Sequence, residues 1–121
     1  MKKLWVDDFR GAPDDSWTEV RKVEPAIRLL SMFDFDVISL DHDIENRPDD
    51  ETFKPIAYFL ALKYQGTSTD ASTFIPKITV HSDNPVGAKE IQMILLKGAG
   101  INAPWEPYTS DKEFKSKFGL S

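Results

Sequence analysis

Phe35-Asp-Val-Ile-Ser-Leu-Asp-His-Asp-Ile44 is the stretch whose reading decides the fold. Val37, Ile38 and Leu40 form a short apolar run with β-branched residues, too brief for a helix and typical of a central parallel strand covered on both faces. Asp41, His42 and Asp43 follow at once. Two carboxylates and an imidazole at the tip of a buried strand are costly unless a cation or a hydrogen-bond network compensates. Two other segments end alike: Lys3-Leu-Trp-Val-Asp-Asp8 closes on paired aspartates, and Ile78-Thr-Val-His-Ser-Asp83 closes on His81, Ser82 and Asp83. As parallel neighbours, these strands bring Asp7, Asp8, Asp41, His42, Asp43, His81 and Ser82 to one edge of a sheet. That carboxyl-end edge is where open α/β sheets bind ligands. The chain has 2 histidines, and both fall there.

Outward from this strand the pattern alternates. Upstream, Phe9 to Ser16 is rich in turn formers and reads as a loop. Trp17 to Val23 reads as a second strand, whose parallel pairing with the first requires an abbreviated crossover in place of the usual helix. Glu24-Pro25 opens a helix that runs to about Phe33, with Ile27, Leu30 and Met32 or Phe33 on its apolar face. Downstream, Glu45 to Glu51 is a polar connection, after which Asp50 or Thr52 caps a helix. Phe53, Ile56, Ala57, Leu60, Ala61 and Tyr64 line one face of it as far as Gly66. After a polar loop, a strand spans Pro76 to Ser82. Asp83-Asn-Pro85 then starts a helix with Ile91, Ile94 and Leu95 inward, stopped at Gly98. Ile101 to Tyr108, broken by Pro104 and Pro107, is at most a short edge strand. Ser110-x-x-Glu113 fits a capping box for a terminal helix docked by Phe114 and Phe118. The succession β, β, α, β, α, β, α, weak β, α predicts a parallel sheet sandwiched by helices.

The bulk properties narrow the function. A chain of 121 residues suits a single domain over 1–121, and 40% hydrophobic with 29% charged residues is ordinary for a globular protein. No run approaches the roughly 20 apolar residues of a membrane span, and no apolar signal region opens the chain, so a cytoplasmic protein without a membrane partner is expected. With 0 cysteines, disulfides and thiolate chemistry are excluded, and any metal must be held by oxygen or imidazole. The formal charge of −5 argues against a long nucleic-acid duplex as partner. A small phosphorylated ligand suits it better, provided a divalent cation supplies the missing positive charge. Nothing in the pattern fixes the oligomeric state.

Together, Leu4-Trp-Val-Asp-Asp-Phe-Arg10, Ile38-Ser-Leu-Asp-His-Asp43 and Thr79-Val-His-Ser-Asp-Asn-Pro85 resemble the receiver domain of response regulators. More closely they resemble its cyclic-phosphate-processing, receiver-like branch, over Lys3 to about Leu96. The resemblance implies a flavodoxin-like, doubly wound parallel sheet with a shortened first β-β connection. It also implies that Asp7 and Asp8 are the acidic pair, Asp41 the phospho-acceptor position and Ser82 the phosphate-facing hydroxyl. Asp7, Asp8 and Asp41 are then the expected ligands of Mg²⁺ or Mn²⁺, which offsets the repulsion among three carboxylates. The sequence departs from ordinary receivers where they carry a Lys-Pro: here stands Glu106-Pro107, which speaks against stable phosphoryl signalling. His42 and His81 are additions, and the resemblance to the cyclic-phosphate branch rests on them.

Imidazoles titrate near neutral pH, so His42 and His81 are the expected acid-base pair of a phosphodiesterase that hydrolyses a small cyclic phosphate of nucleotide or ADP-ribose type. Arg10, Ser82, Asn84 and Asp43 are the expected substrate-binding residues, Arg10 as a phosphate fork. Against this stand plainer readings: Asn84 as a helix cap before Pro85, Arg10 in a salt bridge with Asp14, Asp15 or a site aspartate, and the three tryptophans as packing residues. Lys112, Lys115 and Lys117 read as a solvated face. The rival functions are a non-catalytic module that binds a partner or a phosphorylated ligand, and a receiver phosphorylated on Asp41.

Overall fold

The computed structural model describes residues 1–8, 10–42, 52–65, 74–82 and 84–106. Strands β1 (Lys3–Val6), β2 (Trp17–Val20), β3 (Val37–Leu40) and β4 (Lys77–Val80) form one parallel sheet in the order β2-β1-β3-β4. The first connection carries no helix among its described residues, as the turn-forming composition of Phe9 to Ser16 requires. Helices α1 (Val23–Met32) and α2 (Lys54–Lys63) make the two remaining crossovers, and α3 (Pro85–Ala99) follows β4. The chain steps to one side of β1 for β2 and to the other for β3 and β4. The switch in direction therefore opens a crevice past the carboxyl ends of β1 and β3, where Asp7, Asp8 and Asp41 stand.

Register sorts the side chains by face. Leu4, Ile38 and Ile78 are aligned across β1, β3 and β4, as are Val6, Leu40 and Val80, and one face of the sheet is apolar as a result. That face carries the core: Ala26 and Leu30 of α1, Ile56 and Leu60 of α2 and Ile91 and Leu95 of α3 all bury against it. The intervening row, Trp5, Ser39 and Thr79, lies on the other face, also buried. There the β1–β2 loop folds back, with Trp5 Nε1 donating to the Arg10 carbonyl and Trp17 meeting Trp5 edge to face.

Helix ends explain most departures from expectation. Strand β2 stops at Val20, because the helix already begins at Val23. Met32 and Phe33 lie largely outside the core, where Lys2 covers the Phe33 ring. The end of α1 is closed by Lys63 of α2, whose ammonium donates to the carbonyls of Leu30 and Phe33 and pairs with Asp34 at 3.1 Å. The N-cap position of α2 is Phe53, and the Thr52 hydroxyl just before it accepts from Lys54 N, while Asp50 lies outside the described residues. Gly98 does not stop α3. The helix continues to Ala99 and is closed by Gly100, whose φ of 67° is the left-handed conformation glycine adopts without strain. Gly98 instead permits close packing on α2, since a Cβ there would lie 2.7 Å from that of Ala61. The proline-broken segment joins the sheet edge only as a single parallel bridge between Trp105 and Val80. The expected terminal helix with Phe114 and Phe118 lies outside the described residues. Among the described residues no helix is long and apolar enough to cross a membrane.

Candidate functional site

The backbone ladder runs one residue beyond each strand: Asp7 N donates to Val20 O, Asp41 N to Val6 O, and His81 N to Leu40 O. Asp7, Asp41 and His81 are thereby fixed at one level of the sheet, with Asp8, His42 and Ser82 one residue further on. Asp7, Asp8 and Asp41 each offer a carboxylate oxygen, and these oxygens lie within 4.8 Å of one another. Asp7 is only 2% exposed. Its Oδ1 accepts from Arg10 N at 2.8 Å and its Oδ2 lies 3.1 Å from His81 Nε2. Asp41 Oδ1 accepts from His42 N at 2.8 Å, which fixes its rotamer from the adjacent peptide.

His81, 3% exposed, ends a polar chain across the buried row. Thr79 Oγ1 donates to Ser39 Oγ at 3.1 Å, and Ser39 Oγ lies 2.7 Å from His81 Nδ1. A hydroxyl that accepts from Thr79 has its own proton for Nδ1, which leaves the imidazole proton on Nε2, pointing at Asp7. This tautomer is assigned from the hydrogen-bond pattern. Burial lowers the His81 pKa; the hydrogen bond and charge of Asp7 oppose that, and the positive charge of Arg10 reinforces it. His81 is thus held neutral, and it gives Asp7 a hydrogen bond without a counter-charge. Its ring stacks on Trp5, centroids 3.8 Å apart and planes 6° from parallel. Trp5 and His81 belong to strands on either side of β3, roughly 10 Å apart at two strand spacings. They meet only because the residue between them is Ser39, too small to separate the rings.

His42, 6% exposed, occupies a separate pocket on the helical side. Its carbonyl accepts from Phe53 N at 2.9 Å, its Nε2 lies 3.5 Å from Glu90 Oε2, and Gly87 of α3 leaves room for the ring. Glu90 pairs with Lys54 at 3.1 Å, and the Lys54 hydrogen bond and charge hold its carboxyl below the usual range. The two histidines therefore share the sheet edge but line opposite faces of it.

Of the residues expected to bind substrate, Arg10 is at the site through its peptide and the proximity of its charge to His81. Ser82 is fully buried, and its Oγ accepts from Asn84 N at 3.0 Å. Asn84 caps α3 through Oδ1, which accepts from Gly87 N at 3.1 Å. Asp43 lies outside the described residues. Glu106 follows the bridge to β4, its N–H donating to Val80 O. Ser39, Thr79, Gly87 and Glu90 were not among the residues the sequence pointed to, whereas Trp5, read as a packing residue, packs on His81. The signal for Ser39 and Thr79 is a hydroxyl in the same register of two otherwise apolar strands, whereas Glu90 left none.

The donor set fits a hard divalent cation: three carboxylates, one of them buried, without a thiolate or a histidine-rich cage. Residues 2–97 match the family described as the cyclic-phosphate processing receiver domain. No curated protein matches the chain. The match covers most of the 121 residues, and the chain belongs to that family.

Proposed function

We propose that this member of the cyclic-phosphate processing receiver family is a metal-dependent phosphoesterase that opens a small cyclic phosphate of nucleotide or ADP-ribose type. The observation that carries the reading is the gathering of Asp7, Asp8 and Asp41 within 4.8 Å at the switch point of the sheet, beside a histidine hydrogen-bonded to one of them. Asp7, Asp8 and Asp41 would hold Mg²⁺ or Mn²⁺, which supplies Lewis-acid stabilisation of charge on the phosphate oxygens. The chain's own residues do the rest. His81 keeps Asp7 oriented through Nε2–H and is itself held in place by the Ser39 and Thr79 hydroxyls. His42, with Glu90 at its Nε2, is a proton-transfer group. Arg10 binds the phosphate, and the buried Ser82 hydroxyl and Asn84 together hold the start of α3 beneath it.

Hydrolysis forms a bond from water oxygen to phosphorus, breaks one ring ester bond, and returns a proton to the leaving oxygen, giving a phosphomonoester. A phosphorus NMR screen tests it, with nucleoside 2′,3′-cyclic phosphates, ADP-ribose cyclic phosphate and cyclic nucleotides, each with Mg²⁺ or Mn²⁺. Turnover of at least one, lost in Asp8→Asn, is expected. Binding without turnover would replace the reading by a ligand-binding module. Long-lived labelling of Asp41 by acetyl phosphate would replace it by a phospho-accepting receiver.

A further inference from the structure

Away from the carboxylates, α2 and α3 leave an apolar furrow between their outward faces. Ala61 and Gly98 bring the two helices close, and the side chains flanking that contact stand clear of the core. Tyr58 and Leu62 of α2 are 57% and 73% exposed, and Val86 and Met93 of α3 are 69% and 36% exposed. Two adjoining cavities of about 520 and 490 Å³ share Tyr58, Met93, Ile94 and Lys97, so the furrow is continuous along both helices. From Val86 to Lys97 it follows α3 for roughly 16 Å at the helical rise per residue, the length of three turns of a partner helix. Apolar surface with a polar rim marks an interaction site, and a trough between two helices suits an amphipathic helix.

The rim gives the sign of the partner. Lys54, Lys89 and Lys97 line the furrow with one carboxylate, Glu90, which Lys54 already engages at 3.1 Å. This edge is positive on a chain whose formal charge is −5. We propose that the furrow docks an amphipathic helix of a partner protein whose apolar ridge is flanked by Asp or Glu. A second copy of this chain is the poorer occupant, since a two-fold contact brings the same lysine-rich rim from both copies into one interface. The C-terminal stretch with Lys112, Lys115 and Lys117 has the wrong sign as well. Glu90 both lines the furrow and contacts His42, so the docked helix lies beside the His42 pocket.

The probe is a fluorescein-labelled helical peptide of about four turns with Leu along one face and Glu on both flanks, titrated against the full chain by anisotropy, beside a peptide with Lys for Glu. The acidic peptide should bind at least about 10-fold more tightly than the basic one, and the difference should shrink as salt is raised. Lys97→Glu and Met93→Glu should each weaken it by about 10-fold or more. Leu62→Ser, at a more exposed position, serves as the control should Met93→Glu impair folding, and circular dichroism checks each variant. Equal affinity for the two peptides, absence of binding by the acidic one, or a chain that sediments as a dimer dissolved by Met93→Glu would each overturn the proposal.

Discussion

Gly87→Ala should destabilise the protein although alanine is the better helix former. The new Cβ would lie 2.3 Å from His42 Nδ1 and 2.4 Å from Cγ, well inside contact distance, against a ring only 6% exposed. Gly87 has no positive φ, so the requirement for glycine is space alone. Alanine gains roughly 0.5 kcal/mol in helix propensity near a helix start, whereas forcing a methyl into a packed site costs about 1–3 kcal/mol. The expected net loss is about 1–2 kcal/mol, or a Tm lower by several degrees for a domain of this size. Removing the ring should reverse the sign. In a His42→Ala background, Gly87→Ala should stabilise by about 0.5 kcal/mol, giving a coupling of about 1.5–2.5 kcal/mol between the two positions. Urea unfolding of the four proteins, followed by far-UV circular dichroism without added metal, measures it from midpoints at constant m. If Gly87→Ala has the same effect in both backgrounds to within about 0.5 kcal/mol, His42 is not seated on α3 and its pairing with Glu90 fails with it.

Mn²⁺ should raise the Tm of the parent by preferential binding to the folded state, and Asp8→Asn and Asp41→Asn should lose most of that gain; variants that respond like the parent exclude these ligands. Burial keeps the His81 pKa below its usual value, so between the folded value and about 6.5 the unfolded chain binds the extra proton and stability rises with pH. The contribution is complete above about pH 6.5 and is lost as pH falls toward the folded pKa; the metal-free urea midpoint should drop between pH 7 and 5, less steeply in His81→Gln, and equal slopes would refute this. Ser39→Leu should cost about 2–4 kcal/mol by separating Trp5 from His81 and stranding Thr79, and a near-parent midpoint would show that the rings do not meet over Ser39. On a substrate found by the phosphorus NMR screen, replacing His42 or His81 by Ala should lower kcat by about 10²–10⁴-fold, and parent-like turnover in both would make them structural.

The sequence alone located the acidic crevice, because what carries it is local. A run such as Val37 to Leu40 can only be a buried strand, and Asp41 next to it can only be at the strand's end. Parallel crossovers then force all such ends to one edge. The faces of α2 and α3 were legible for the same reason: the helical period is written in neighbouring residues, as with Ile56, Ala57, Leu60 and Ala61. What tertiary structure decided is which groups touch across that edge. Whether His81 meets Asp7 or His42 depends on register and face parity between strands 74 residues apart in sequence, and on Ser39 being small where Trp5 must pass. Glu90 and Gly87 reach His42 only because α3 packs beside β4 and against α2, held there by the close approach of Gly98 to Ala61 and the packing of the whole helical layer. Local pattern fixes backbone conformation through short-range sterics. The partner of a buried polar group is fixed by packing between distant segments, and no neighbouring residue encodes that.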